Sequence, residues 1–423
     1  MTLLRKTDRL RFGVPAALVT ATAGVVACSL LVDASDVDRC ADGCPDGAAE
    51  ASTVDAPTNM GAPDATTILD DPCEASVGLQ VGSPWPMYGR CATHPSRSVR
   101  TGPAAAPRLQ WTFAADAGSY AEPVVDRDGR IYLGVEHETS GLIAVGPDGT
   151  ERWRGEMGNV STAVAISSND TIYAGAGDDG GLVALRLDGS RKWIFPTTSE
   201  IDSAPTIAPD GTIYFGCVDG TFFAVNMDGT KKWEFAAGAE VAPNTAIGPD
   251  QTIYFATLDG KTHALAPDGG VRWSADTGTP TSPPSVSSSG SVYVAGDGFL
   301  YSIRGGVIEW RVALPGASSA AIGADGTLYV GATNGVIAVR SDGGAQWTHP
   351  TSGRVGAPVV GADGTIYAAT DNAALIAVGP DGGAKWSVPT AGPSRRPPVI
   401  GADGRLYIAT STAIGTALQA FGP

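Results

Sequence analysis

Short apolar runs alternate with turn-forming pairs along most of this chain. The clearest unit has β-rich segments at 201–207, 212–216, 222–225 and 231–235, separated by Asp-Gly pairs at 210–211, 219–220 and 228–229. Asp-Gly between short apolar runs favours a hairpin, because glycine adopts positive φ without steric cost. The pattern therefore predicts four antiparallel strands in each unit, which we call strands A, B, C and D in chain order.

A tryptophan marks strand D of each of eight such units. Successive tryptophans lie 37 to 42 residues apart, and a tyrosine in strand B of the next unit follows each one 19 to 21 residues later. These tryptophans are Trp111, Trp153, Trp193, Trp233, Trp273, Trp310, Trp347 and Trp386. A period near 40 is typical of propeller blades, which must stack on neighbours to bury both faces. We therefore predict an all-β fold, an eight-bladed β-propeller of four-stranded antiparallel blades, with the tryptophans packing the blades.

The two ends of the array complement each other. The last unit stops at a strand C, residues 417–421, whereas residues 109–113 form a strand D with no strand C before them. We therefore predict one ring over 108–423, in which the N-terminal strand completes the eighth blade and removes exposed edges. Proline stands nine residues before the tyrosine in five of the eight units. Since proline lacks an N–H donor, strand A is predicted to be the edge strand beside the axis.

The first residues predict export. Four basic residues precede an apolar stretch at 14–27, and Val25-Val26-Ala27-Cys28 is similar to a bacterial lipobox. We expect residues 1–27 to be a lipoprotein signal peptide that is removed before Cys28, whose thiol would then carry lipid. The alternative is an ordinary secretory signal with an incidental cysteine. Lipidation would anchor the protein in the bacterial cell envelope, at the outer membrane, facing the periplasm or the cell surface.

Residues 28–72 predict an acidic flexible tether. Positions 29–71 hold ten acidic residues, one arginine and no aromatic residue, which is too little apolar surface for a core. Residues 73–107 then lead into the ring. Paired cysteines in an exported protein favour disulfides, so Cys73 with Cys91 and Cys40 with Cys44 are preferred, although the sequence leaves the connectivity open. A metal site at the latter pair is the alternative, and Cys217 is expected to be a buried free thiol.

Charge and motif content exclude several classes of function. The net charge is −16, and loss of residues 1–27 would bring it to about −19, which disfavours a nucleic-acid partner. The histidines show no metal-ligand spacing, and no nucleophile elbow accompanies the serines. Asp126-Arg127-Asp128-Gly129 lacks the remaining oxygen ligands of a calcium loop, so a turn is favoured there. We therefore expect no catalytic group, no metal and no cofactor.

The repeated phrase resembles a known family. Gly211-Thr212-Ile213-Tyr214-Phe215-Gly216, followed by Phe223-Ala224-Val225 and Lys232-Trp233, is similar to the repeat of the pyrroloquinoline-quinone (PQQ) propellers, and Trp85-Pro86-Met87-Tyr88-Gly89 resembles their lead-in segment. That superfamily implies either a quinoprotein dehydrogenase with PQQ and Ca²⁺, or a non-enzymatic envelope lipoprotein of the BamB type. The units here lack long insertions and adjacent cysteines, and no position matches the calcium or catalytic residues. The resemblance therefore favours the BamB type, with the dehydrogenase or a surface glycan-binding propeller as alternatives.

The loops indicate where a partner would bind. In such blades the A–B and C–D turns lie on one side of the disc, the turn face, and the B–C turns and D–A connections lie on the other, the loop face. Asp-Gly pairs make the turn face uniform, whereas the loop face varies in length and charge, as binding loops on a rigid scaffold do. Acids such as Glu122 and Glu240 belong to blades one to four, and arginines mark the last two. We expect a monomer that contacts an envelope protein through Glu136, His137, Glu138, Asp178, Asp179, Glu200, Asp202, Arg354, Arg395 and Arg396.

Overall fold

A computed structural model describes Cys73 and residues 78–423, except 116, 117, 119, 120, 137–140, 156, 178–180 and 243. These residues form eight sheets of four antiparallel strands and include no α-helix. Accordingly, the described residues contain no helix of the length and hydropathy that would span a membrane. The predicted all-β, eight-bladed propeller is confirmed.

Blades I to VII are each built from four consecutive strands in the order A-B-C-D. Blade I contains β2 (Val124–Val125), β3 (Ile131–Gly134), β4 (Leu142–Val145) and β5 (Glu151–Gly155). Blade II contains β6 (Ala165–Ile166), β7 (Thr171–Ala176), β8 (Gly181–Arg186) and β9 (Arg191–Pro196). Blade III contains β10 (Thr206–Ile207), β11 (Ile213–Gly216), β12 (Thr221–Val225) and β13 (Lys231–Ala236). Blade IV contains β14 (Ala246–Ile247), β15 (Ile253–Thr257), β16 (Lys261–Leu265) and β17 (Val271–Asp276).

The remaining blades follow the same plan. Blade V contains β18 (Ser285–Val286), β19 (Val292–Gly296), β20 (Phe299–Arg304) and β21 (Val307–Ala313). Blade VI contains β22 (Ala321–Ile322), β23 (Leu328–Ala332), β24 (Gly335–Val339) and β25 (Ala345–Pro350). Blade VII contains β26 (Val359–Val360), β27 (Ile366–Ala369), β28 (Ala374–Val378) and β29 (Ala384–Pro389). Blade VIII contains β30 (Val399–Ile400), β31 (Leu406–Thr412), β32 (Gly415–Gly422) and β1 (Arg108–Ala115).

Burial differs between the strands of a blade. In blade III, Tyr214 lies opposite Thr206 on one side and Ala224 on the other, and Ala224 lies opposite Trp233. Strands B and C are almost wholly buried, whereas strand D alternates between exposed and half-buried residues. The apolar runs of B and C are therefore continuous because both of their faces are covered, while strand D keeps the alternating pattern of a half-exposed strand.

Each tryptophan of strand D contacts two blades. Its ring packs on the strand-B tyrosine of its own blade, with ring centroids 5.6 to 5.9 Å apart. In most blades its indole N–H also donates to a carbonyl in the C–D turn of the next blade. Trp233 donates to Pro267 O at 2.8 Å, for example, and Trp111 of blade VIII donates to Pro147 O of blade I at 3.0 Å. The tryptophans thus connect successive blades as well as packing their interiors.

The Asp-Gly pairs of the C–D turns make room for these rings. Gly229 has a φ of +87°, and a Cβ at this position would stand 2.9 Å from the ring of Trp193 in the preceding blade. Asp228 closes the turn, because its Oδ1 accepts the backbone N–H of Thr230 at 2.9 Å. Glycine is therefore required here for its backbone conformation and for space, which explains the recurrence of the pair.

The first and last strands of the ring pair with each other. β1 runs antiparallel to β32, so that Leu109 lies opposite Phe421 and Phe113 lies opposite Leu418. β1 thereby forms the fourth strand of blade VIII, beside the strand C that ends the chain. Both edges that these two strands would otherwise expose are hydrogen-bonded.

Residues 78–103 line the inner edges of the blades, and we call them the lead-in segment. Its carbonyl groups accept the N–H of the second strand-A residue in six blades, at distances of 2.6 to 2.9 Å. These donors are Val125, Ile166, Ile247, Val286, Ile322 and Val360. A disulfide joins Cys91 of the lead-in segment to Cys73, which precedes the segment, with a Cα–Cα distance of 5.6 Å. The lead-in segment therefore satisfies strand-edge amides at the axis, on the side nearer the turn face.

Candidate functional site

A chamber of about 510 Å³ opens at the axis on the loop face, equivalent to a sphere roughly 10 Å across. Its wall comes from the chain just before strand A in every blade, and Tyr88 of the lead-in segment contributes to the same lining. Because the lead-in segment occupies the axis beyond the chamber, the chamber is a cup and its mouth lies on the loop face.

The floor of the chamber is held by contacts between the lead-in segment and the wall. The indole Nε1–H of Trp85, which is fully buried, donates to Oε1 of Glu122 at 2.5 Å. The Tyr88 hydroxyl lies 3.0 Å from the hydroxyl of Ser319 in blade VI, so the segment contacts the wall on two sides. His94 is also buried, and its Nδ1 lies 3.2 Å from the Pro284 carbonyl oxygen. Burial lowers the pKa of His94 to about 4, which keeps the ring neutral at physiological pH.

Glu122 is a buried carboxyl group, whereas Glu200 on the same face is exposed. Only 4 % of Glu122 is exposed. Burial raises the pKa of its carboxyl to about 8, although the hydrogen bonds from Trp85 and the Gly89 backbone act in the opposite direction. Its Oε2 has no hydrogen-bond partner within the described part of the chain.

Thr162 is a second polar group of the wall whose hydroxyl is buried. It lies in blade II, and its Oγ1 also lacks a hydrogen-bond partner among the described residues. Asn244 lines the same chamber from blade IV, and its Oδ1 accepts the backbone N–H of Ala204 at 2.8 Å. The chamber wall therefore includes polar groups among its apolar residues, and the hydrogen bonding of two of them, Glu122 and Thr162, is incomplete.

Blades I to III form an acidic sector of the chamber mouth. Glu136 and Asp202 line it and are both half-buried, and the Ser161 hydroxyl donates to Asp202 Oδ1 at 3.3 Å. Burial raises the pKa of Asp202. Burial and the nearby charge of Asp202 also raise the pKa of Glu136, while Arg396 lowers it. The two carboxyl groups therefore share one electrostatic environment with an arginine of blade VIII.

Blades VII and VIII form a basic sector of the same mouth. Arg354, Arg395 and Arg396 all line the chamber. Arg395 pairs with Asp371 at 3.4 Å on the exposed rim. Arg354 has no ion-pair partner among the described residues. A guanidinium at this place is a ready donor for a carboxylate.

The structure brings together five of the residues predicted to contact a partner, Glu136, Asp202, Arg354, Arg395 and Arg396. Glu200 is exposed on the same face and does not line the chamber. The remaining predicted residues lie outside the described part of the chain: His137, Glu138, Asp178, Asp179, Cys28, Cys40 and Cys44. Sequence reasoning missed the roles of Tyr88, Thr162 and buried Glu122. The aromatic residues of the lead-in segment were the one available signal.

Three further side chains have structural surroundings. Cys217 is a buried free thiol whose pKa burial raises to about 12. His263 is buried, stacks on Phe255 and lies 3.1 Å from the Thr257 hydroxyl. Asp126 forms a turn, because its Oδ1 accepts the N–H groups of residues 128 and 130, each at 2.9 Å. Each of these side chains is buried or hydrogen-bonded within the fold, and none of the three indicates a separate site.

The chain was compared with protein families and solved structures. The family model described as outer membrane protein assembly factor BamB matches residues 138–345 and 333–421, about two thirds of the chain. Among curated proteins, none matches the sequence significantly.

Several solved structures share the fold at low sequence identity. BamB from Moraxella catarrhalis is 18 % identical with a TM-score of 0.60, over 75 % of this chain and 100 % of that one. Quinohemoprotein alcohol dehydrogenase from Comamonas testosteroni is 14 % identical with a TM-score of 0.67, over 82 % of both chains. A europium-containing methanol dehydrogenase is 14 % identical with a TM-score of 0.68, over 81 % of this chain and 98 % of its own. At these identities the likeness establishes the fold and leaves the activity open.

Proposed function

This chain belongs to the BamB family of PQQ-like propellers, and on that premise we propose that it is a non-catalytic scaffold that binds a protein partner in the bacterial cell envelope. The partner would bind on the loop face, across the mouth of the axial chamber. A lipid on Cys28 and a tether over residues 28–72 would hold the propeller near the membrane, with the ring acting as a monomer. Cys28 and the tether lie outside the described residues, so the sequence alone supports this part of the proposal.

The observation that carries the proposal is the division of charge around the chamber mouth. An acidic sector, with Glu136 and Asp202, and a basic sector, with Arg354, Arg395 and Arg396, meet on one face of a disc that is acidic in total. Exposed ion pairs contribute only about 0 to 1 kcal/mol to folding, so the fold gains little from charges placed there. Complementary potentials do steer a partner and set its orientation, which gives these charges a use in binding.

The ring is also rigid enough to present such a surface. The blades are joined through the tryptophan contacts, the first and last strands pair, and the lead-in segment bonds to six of the blades. A disulfide ties Cys91, in the middle of that segment, to Cys73. Loops on a scaffold of this kind keep their relative positions, so little order has to be created when a partner binds.

A quinoprotein dehydrogenase is the second candidate, because two of the similar structures are dehydrogenases. The chamber residues do not fit a calcium-bound quinone. In the part of the chain that the structure describes, no three His, Cys, Asp or Glu side chains are grouped so that they could hold a metal ion. Glu122 already accepts a hydrogen bond from Trp85 through Oε1, which leaves only one of its carboxylate oxygens for a calcium ion. The scaffold is therefore the proposal that the chamber chemistry favours.

Capture from native membranes tests the scaffold. We expect the cross-linked wild-type chain to enrich an envelope assembly protein, and an Arg354→Glu, Arg395→Glu variant to lose most of it. The loss should be larger at low salt, where charges are less screened. This double variant should melt close to the wild type.

The matched control is a double reversal on the outer part of blade II, Arg191→Glu with Lys192→Glu, since both residues are exposed and lie outside the chamber. It changes the net charge by the same amount and should leave capture intact. Equal loss of the partner from both variants would contradict a binding site on the loop face. Absence of any envelope protein in the wild-type capture would contradict the scaffold itself.

A further inference from the structure

Two buried polar atoms of the chamber wall lack hydrogen-bond partners among the described residues. They are Oε2 of Glu122 in blade I and Oγ1 of Thr162 in blade II, and both residues line the chamber. Buried polar groups in folded proteins are almost always paired, because an unmade hydrogen bond costs free energy. The lead-in segment satisfies only the other carboxylate oxygen, through Trp85. The neighbouring blades I and II therefore hold an acceptor and a hydroxyl that are covered within the chamber wall, and a ligand would bond them once these two side chains turn toward it.

The group that completes them should be a cation with several N–H donors. No basic side chain lies close enough to lower the pKa of the Glu122 carboxyl. Burial without such a counter-charge raises that pKa. A metal ion does not suit the place, because the described residues provide no cluster of ligands. A protonated amine does suit it, since its three N–H donors can bond the carboxylate and the hydroxyl together.

The other end of the same ligand should carry a carboxylate. Arg354, without an ion-pair partner in the described residues, and Arg395 line the chamber from blades VII and VIII. Guanidinium groups bind carboxylates with paired N–H donors. Two hydrogen bonds of about 2.8 Å, with an amino-acid backbone of roughly 3 Å between them, span roughly 9 Å. A chamber of about 510 Å³, the volume of a sphere roughly 10 Å across, has room for a ligand of that length.

We propose that the axial chamber binds a small zwitterion, a free α-amino acid or a short peptide, with its ammonium on Glu122 and Thr162 and its carboxylate on Arg354 and Arg395. The volume of about 510 Å³ lies within the range of small-molecule sites. A purely anionic ligand would face Glu136 and Asp202 in the same cup, and a purely cationic ligand would face the arginines. A molecule that carries both charges meets complementary groups in both sectors.

Calorimetric titration of the full-length protein in detergent tests the proposal. The probes are the standard amino acids, the dipeptide Ala-Ala, putrescine as an amine without a carboxylate, and succinate as a carboxylate without an amine. We expect saturable binding of at least one zwitterion, and much weaker binding of putrescine and succinate. Free amino acids and the dipeptide distinguish the two sources of the same chemistry.

Variants then locate the site. Glu122→Gln should weaken zwitterion binding about tenfold or more, and Thr162→Val should weaken it several-fold. Arg354→Ala should weaken zwitterion binding and should not weaken the residual binding of putrescine, because it removes a positive charge that a diamine would face. Glu234→Gln is the matched control, because Glu234 is exposed on the outer strand of blade III and should not affect binding. If Glu122→Gln fails to fold, as judged by circular dichroism, Thr162→Val and Arg354→Ala still decide the outcome.

Several results would overturn the proposal. They include no saturable binding of any zwitterion, equal binding of putrescine or succinate, and binding that survives all three chamber variants. Binding of Ca²⁺ or PQQ that Glu122→Gln abolishes would also overturn it, since it would show a metal or quinone site in place of a zwitterion site.

Discussion

Glu122 illustrates how far the behaviour of one side chain depends on residues that are distant in sequence. On the sequence it is one acid among several in the loops of the early blades. In the fold its carboxyl belongs to the chamber wall. The indole N–H of Trp85 donates to Oε1, and Oε2 has no hydrogen-bond partner among the described residues. Nothing in the local sequence of Glu122 indicates this burial, because the covering residues belong to a segment that stands outside the repeats.

The raised pKa of Glu122 gives the first prediction at this scale. Its carboxyl has an ordinary pKa of 4.5 when exposed and a pKa of about 8 in the fold, so between these values the folded protein binds more protons than the unfolded chain. The free energy of unfolding should therefore fall as pH rises from about 5 to about 8, by at most a few kcal/mol. Glu122→Gln removes this dependence, and its melting temperature should change less than that of the wild type across the window.

Melting curves of the two proteins at pH 5 and pH 8 check this expectation. Glu234→Gln, on an exposed strand, is the control and should follow the wild type. His94 titrates in the opposite sense, but it is present in all three proteins and cancels in the comparison. Parallel pH profiles for the wild type and Glu122→Gln would mean that folding does not raise the pKa of the Glu122 carboxyl.

Strands and turns were the most predictable elements, for physical reasons. The apolar runs of strands B and C are long because both faces are buried, and the Asp-Gly turns need glycine for both φ and space, as at Gly229. Each requirement repeats with the blade, so it appears in the sequence eight times or nearly so. The course of the lead-in segment could not be predicted in the same way, since its bonds to the strand-A edges are formed once and use backbone groups that leave little trace in sequence.

The pairing of β1 with β32 gives a prediction at the scale of elements. Deleting residues 108–115 would expose an edge of β32 and remove the contact of Trp111 with the C–D turn of blade I. Unpaired strand edges promote aggregation, so we expect the variant to aggregate or to melt many degrees lower than the wild type. Size-exclusion chromatography and thermal unfolding measure the two effects.

Deleting an equal number of residues from the predicted tether, positions 29–36, provides the matched control. This deletion shortens the chain by the same length and touches none of the residues that form the ring. The control should melt like the wild type. A ring that lacks 108–115 and still melts unchanged would show that the β1–β32 pairing contributes little to stability.

At the scale of the whole molecule, shape and charge were accessible from the sequence and the chamber was not. Eight repeats imply a ring with an axis, and a net charge of −16 implies an acidic particle. A chamber closed at one end depends on the lead-in segment, and its polarity depends on which residues just before strand A meet at the axis. Glu136 and Arg396 are far apart in the chain, and only the closure of the ring brings them near enough to influence each other.

The proposed anchor gives the last prediction, which concerns where the whole propeller resides. A lipid on Cys28, followed by a flexible tether over residues 28–72, would allow the ring to move within roughly 40 Å of the membrane. One acyl chain binds a membrane only marginally, whereas two or three bind it stably, so removal of the acylated thiol should release the protein. We expect Cys28→Ser to shift the protein from the membrane fraction to the soluble fraction, and mass spectrometry to find acyl groups on wild-type Cys28 alone.

Cys217→Ser is the control, because that thiol is buried within blade III and cannot carry a membrane anchor. If the Cys28→Ser protein stayed with the membrane and the wild type carried no acyl mass, the propeller would be retained by its partner on the loop face, and the Arg354→Glu, Arg395→Glu variant should then be the one that is released.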